Sequence, residues 1–183
     1  RVIGRIDQAG SVNTTTALSD CYGGGAKGSF RCAATSDGIK FWTAGCDGSG
    51  SSSLARVRYA TLGASSSTVL HDGNIPGSNS FPKEPRAVNV YGGRLYWGSN
   101  ETGGGLGRGV GTFGPALPDT GGQTPSMVPN LRVTASTESG SPYDFFFLNA
   151  DTVYIADDRH PEALGGLQKF VRDTDPGSPT FGQ

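Results

Sequence analysis

The chain is short of the residues that usually do chemistry. Its 183 residues hold three cysteines, two histidines, two tryptophans and one methionine. Only 17% of residues are charged, against about 25% in an ordinary soluble domain. Lys and Arg total 15 against 16 acidic residues, for a net charge of −1. The basic residues are scattered, without the basic stripe and interleaved aromatics of a nucleic-acid binder. No apolar run approaches the ~20 residues of a membrane-spanning helix. There is no Gly-x-Ser-x-Gly elbow, no His-x-x-x-His and no Cys-x-x-Cys, so neither a hydrolase nucleophile nor a zinc site is signalled. His71 and His160 both fall in expected loops.

What the chain has is glycine, 30 of 183, with 11 prolines. Apolar β-branched and aromatic clusters recur between them, so the glycines read as turns between many short strands rather than as disorder. One unit recurs three times: Ser36-Asp37-Gly38-Ile39-Lys40-Phe41-Trp42, Tyr91-Gly92-Gly93-Arg94-Leu95-Tyr96-Trp97 and Asn149-Ala150-Asp151-Thr152-Val153-Tyr154-Ile155. Its last residues lie 55 and 58 positions apart. A second landmark follows 15, 13 and 12 residues later, at Val57, Val110 and Leu167.

Repeats of this length, built of short strands, are the signature of propeller blades. The expected fold is all-β with essentially no helix: a β-propeller or part of one, with about three to four antiparallel blades of four short strands. A single domain spans 1–183, in units of approximately 1–29 (partial), 30–85, 86–140 and 141–183. Asp37-Gly38 predicts a two-residue hairpin turn. Trp42 and Trp97 are expected between neighbouring blades. Phe145-Phe146-Phe147-Leu148, lacking alternation, suits a strand covered on both faces. Self-closed propellers take 4–8 blades, so this chain needs completion by further blades, from the rest of its polypeptide or from other chains. Its start at Arg1, without Met, predicts a mature or trimmed product.

The same residues resemble a group of uncharacterised secreted bacterial and algal propeller-like proteins. The match rests on Val2-Ile3-Gly4-Arg5-Ile6-Asp7, Thr35-Ser36-Asp37-Gly38 with Phe41-Trp42-Thr43-Ala44-Gly45, Val57-Arg58-Tyr59, Gly109-Val110-Gly111-Thr112 and Val153-Tyr154-Ile155-Ala156-Asp157-Asp158-Arg159. It keeps segment order along nearly the whole chain. The resemblance implies fold and surface location, and brings no catalytic residues with it.

Candidate sites are few. Asn13-Thr14-Thr15 and Asn100-Glu101-Thr102 are glycosylation sequons and, with the Ser/Thr/Gly-rich composition, point to an extracellular or cell-surface setting. Three single disulfides are possible among Cys21, Cys32 and Cys46. The expected hairpin register places Cys32 opposite Thr43 and Cys46 opposite Ser29, which favours Cys21–Cys46. Asp157 and Asp158 are candidate metal ligands, against the alternative of a turn cap or pairing with Arg159 and Arg172. Asp47-Gly48-Ser49-Gly50-Ser51 reads as a solvated loop, and Gly23 to Ser29 and Gly109 to Gly114 as turns rather than nucleotide loops. Tyr96, Trp97 and Tyr154 could stack on sugar faces, helped by Asp157 or Asn100, against the alternative of packing between blades. No cofactor is called for. The reading is a non-enzymatic extracellular structural or protein-interaction module within a larger assembly. The alternatives are a carbohydrate-binding propeller and a metal-dependent propeller hydrolase or lactonase.

Overall fold

A computed structural model describes residues 1–23, 28–46, 56–71, 85–100, 108–133 and 140–178. The fold is all-β, in four antiparallel sheets that follow chain order. Sheet I is the hairpin β1 (Val2–Ile6) and β2 (Val12–Ala17). Sheet II is the meander β3 (Ser29–Thr35), β4 (Lys40–Cys46), β5 (Arg58–Thr61) and β6 (Thr68–Val69). Sheet III runs β7 (Pro85–Tyr91), β8 (Arg94–Ser99), β9 (Arg108–Thr112) and β10 (Ser126–Val133). Sheet IV holds β11 (Pro142–Asn149), β12 (Thr152–Asp157) and β13 (Gly166–Val171). The one helical piece among the described residues is a single 3-10 turn, Pro161–Ala163.

Each sheet is too small to bury two faces alone, so the sheets stack and share three apolar joints. Ile3, Leu18, Tyr22, Phe41 and Ala60 fill the joint between sheets I and II. Trp42, Ala44, Val57, Val88, Leu95, Trp97 and Phe113 fill that between II and III. Ala87, Val110, Phe145, Val153 and Ile155 fill that between III and IV. Trp42 and Trp97 thus do sit between neighbouring sheets. The stack is not seen to close into a ring: its two outermost faces carry exposed apolar side chains, among them Ile6 and Val12 on sheet I and Phe146 and Leu167 on sheet IV.

The turn at Asp37-Gly38 differs from the two-residue form. Tyr91 pairs with Arg94, and Asn149 with Thr152, across true two-residue turns. In sheet II Thr35 pairs with Phe41 instead. The Asp37 carboxylate accepts the N–H groups of Ile39 and Lys40, both at 2.8 Å, and Thr35 Oγ1 accepts that of Gly38 at 2.8 Å. This side-chain capping widens the turn, while Gly38 takes φ +71°. Cys32 therefore pairs with Ala44 rather than Thr43. A bulge between Phe30 and Cys32 restores the count, and Ser29 does pair with Cys46. A slip of one residue changes the face a side chain takes. Trp42 accordingly points forward into the II–III joint, while Trp97 points back into it.

The segment after β9 is pinned across this joint. Trp42 Nε1 donates to the Pro118 carbonyl at 2.6 Å, and Gln123 N–H to the Leu70 carbonyl at 2.8 Å. Trp97 lies over Gly111, its cross-strand partner. A Cβ at Gly111 would stand 2.2 Å from Trp97 Cζ2. Gly111→Ala should therefore destabilise the chain by about 1–3 kcal/mol through overpacking. Gly4→Ala, whose Cβ meets nothing within 4 Å, should stay within about 0.5 kcal/mol. Thermal melts of the two variants check the contrast; equal effects would reject this account of the joint.

Candidate functional site

Sheet IV presents the most unusual surface. Phe145 and Phe147 turn inward, where Phe147 stacks on Tyr91 at 5.1 Å and meets Tyr96 at 4.4 Å. Phe146 and Leu148 point the other way and are exposed. The expectation that this strand is covered on both faces is met on one only. Phe146 pairs with Tyr154, and Tyr154 with Lys169. Ala156 pairs with Leu167, and Thr152 with Val171. Alternation places Phe146, Leu148, Tyr154, Leu167 and Val171 together on one outer face.

The repeat gives this face its meaning. Val57 and Val110, the counterparts of Leu167, point toward the following sheet and are 2% and 0% exposed. Leu167 points the same way and is 76% exposed. A side chain that the next sheet buries twice in this chain is bare at the third occurrence.

Asp157 and Asp158 stand at the end of β12, but both engage arginines. Asp157 is buried; its Oδ1 accepts from Arg159 Nε at 2.8 Å and Arg159 N–H at 3.0 Å, and its Oδ2 from Ser141 N–H at 3.0 Å. Burial by itself would raise its pKa, yet the hydrogen bonds from Arg159 and Ser141 prevail and hold it below the ordinary value. Asp158 pairs with Arg86 at the start of β7, tying sheet IV to sheet III. Arg172 pairs instead with Asp151 at 2.7 Å. The aspartates thus serve as a cap and an inter-sheet clasp. Among the described residues no three His, Cys, Asp or Glu side chains gather where a metal could be held.

The other candidates are dispersed. Trp97 is fully buried and Tyr96 packs on Phe147, so both belong to joints. Tyr154 alone of the three reaches an outer face. No disulfide is formed, and the expected Cys21–Cys46 bridge is absent. Cys21 and Cys46 are both buried and unbridged, and burial pushes the thiols of Cys21 and Cys32 upward, away from the reactive thiolate. Asn13 Oδ1 accepts from Thr15 N–H at 3.0 Å and Thr15 Oγ1 at 2.7 Å. Asn100 is half-buried at the end of β8; Glu101 and Thr102 of its sequon lie outside the described residues, as do residues 24–27 and the loop Asp47 to Ser51. Arg86 and Tyr143 were not signalled by any motif. Arg86 reaches across 72 positions to Asp158, and its guanidinium lies 5.3 Å from the Tyr143 ring centre.

Comparison with protein-family models, curated proteins and solved structures finds no match.

The Asp157 clasp has a pH signature. A carboxylate whose folded pKa is depressed stabilises the fold above its unfolded value, near 3.8, and that contribution is lost as pH falls through the folded pKa. Asp157→Asn should thus cost on the order of 1–3 kcal/mol at neutral pH, with the gap to the parent closing in strong acid. Melting temperatures of both proteins from neutral to strongly acidic pH check this; a gap that stays constant would refute it.

Proposed function

We propose that the chain is a non-enzymatic structural or protein-interaction module, extracellular or at the cell surface, and part of a larger assembly built by stacking sheets. The observation that carries this is the outer face of sheet IV. Its partner is a further antiparallel sheet of the same kind, supplied by the rest of the polypeptide or by another chain. Sheet-on-sheet packing joins every internal layer of this molecule, and the bare face repeats the chemistry of the buried ones. Apolar patches of this kind mark interaction surfaces. A propeller completed in this way accords with the repeat spacing and with the resemblance to secreted propeller-like proteins. The sequons at Asn13 and Asn100 support the extracellular setting, which occupied glycans in native material would establish by mass spectrometry.

In the native, complete protein, Phe146, Leu167 and Val171 should be shielded from hydroxyl-radical labelling, whereas the isolated 183-residue chain should be labelled there. Equal labelling in both would remove the proposal. Phe146→Lys and Leu167→Lys should abolish assembly while changing the isolated chain's stability by no more than about 0.5 kcal/mol, as surface substitutions do.

A further inference from the structure

Sheet I repeats the outer half of sheet II, pair by pair. Leu18 N–H donates to the Arg1 carbonyl at 2.7 Å, as Leu70 N–H does to the Val57 carbonyl at 3.2 Å. Val2 pairs with Ala17 and Ile3 with Thr16, as Arg58 pairs with Val69 and Tyr59 with Thr68. Leu18 and Leu70 are each buried in the joint with the following sheet. Strands β1 and β2 therefore stand as the third and fourth strands of a four-stranded sheet, and the first two are not among the described residues.

The missing half shows at two places. In sheet II the inner edge of the third strand is taken by β4, in register from Lys40 opposite Thr61 to Thr43 opposite Arg58, and Leu62 N–H continues that edge to the Ile39 carbonyl at 2.8 Å. Alternation turns the backbone groups of Arg58 and Ala60 to β4 and those of Val57 to β6. The counterparts of Arg58 and Ala60 are Val2 and Gly4, whose backbone groups face an edge on which no described strand pairs. The second place is the rear of β3. Strands β3, β7 and β11 lie against one another in turn, and Val88 and Phe145 bury the rears of β7 and β11 against the preceding sheet. On β3 the front positions Cys32 and Ala34 pack into the II–III joint, but the rear positions Ala33 and Thr35 are exposed, because sheet I packs on Phe41 and Ala60 of β4 and β5 instead. A lone strand would pair with β1 and leave β3 bare; a sheet laid face to face would cover β3 and leave the edge unpaired. An antiparallel strand pair does both. In sheets II, III and IV the strand on that edge is the one immediately before it in the chain: β4 before β5, β8 before β9 and β12 before β13.

We propose that β1 is a strand acceptor, completed by an antiparallel strand pair that directly precedes it in the native polypeptide. The second strand of the pair ladders onto Val2 and Gly4, and the first lies behind β3. This edge is separate from the outer face of sheet IV and does not depend on it. The test is residue-resolved amide hydrogen exchange on the native, complete protein beside the isolated 183-residue chain. The Val2 and Gly4 amides should exchange about a hundredfold or more slowly in the native protein than in the isolated chain. Protection at Gly4 should persist in native protein carrying Leu167→Lys, which disturbs only the sheet IV face. Val2→Pro removes an edge donor while sparing the bonds to β2; it should cut the protection of Gly4 by about tenfold or more and leave Ile3, on the β2 side, slow to exchange in both proteins. Equal exchange at Gly4 in the two proteins, protection that disappears on dilution because a second chain supplies the strand, protection lost with Leu167→Lys, or a native polypeptide whose first residue is Arg1 would each overturn the proposal.

Discussion

A small antiparallel sheet with apolar side chains on both faces is stable only when something lies against each of them. That constraint organises the whole molecule. Sheets of two, four, four and three strands are held less by their own ladders than by the three joints between them. The polar contacts serve the same end. Asp20 accepts from Ser67 N–H at 2.8 Å and Arg58 Nη2 at 3.2 Å, tying the segment after sheet I to sheet II. The clasp between Arg86 and Asp158 does the same for sheets III and IV. Because the constraint acts on every sheet alike, it does not stop at the last one.

Much of this was legible in the sequence because it is local. The glycine turns at 92–93 and the Ala150-Asp151 turn sit between alternating strands, and both hairpins form there. The forward-facing landmark Val57, Val110 and Leu167 kept its facing throughout. The reading failed where side chains compete with the backbone. Asp37 and Thr35 cap the first turn and lengthen it, which flips the face of Trp42 relative to Trp97. Strand β10 was hidden by Pro129 and by Asn130, whose φ is +60°, and its register breaks between Met127 and Arg132. The sequence there reads as a Pro/Gly/Thr connection.

The site was less legible, for a different reason. Asp157 and Asp158 drew attention as adjacent carboxylates, and pairing with Arg159 was foreseeable from two positions away. Arg86 was not, since only the stacking of two sheets brings it to Asp158. Aromatic residues at strand ends misled in the opposite direction. Tyr96 and Trp97 looked available for a ligand, yet alternation turns them to opposite faces of sheet III, and a neighbouring sheet covers each face.

The two tryptophans, the only ones in the chain, lie in a single joint, between sheets II and III. Intrinsic fluorescence therefore watches the middle of the stack and is blind to its ends. Sheet I or sheet IV can detach, or gain a covering layer, with little change in tryptophan emission. The tyrosines divide differently: Tyr91 and Tyr96 lie at the III–IV joint, and Tyr22 with Phe30 beside sheet I. An optical record of this protein is thus a record of position along the stack, with each chromophore assigned to its own layer.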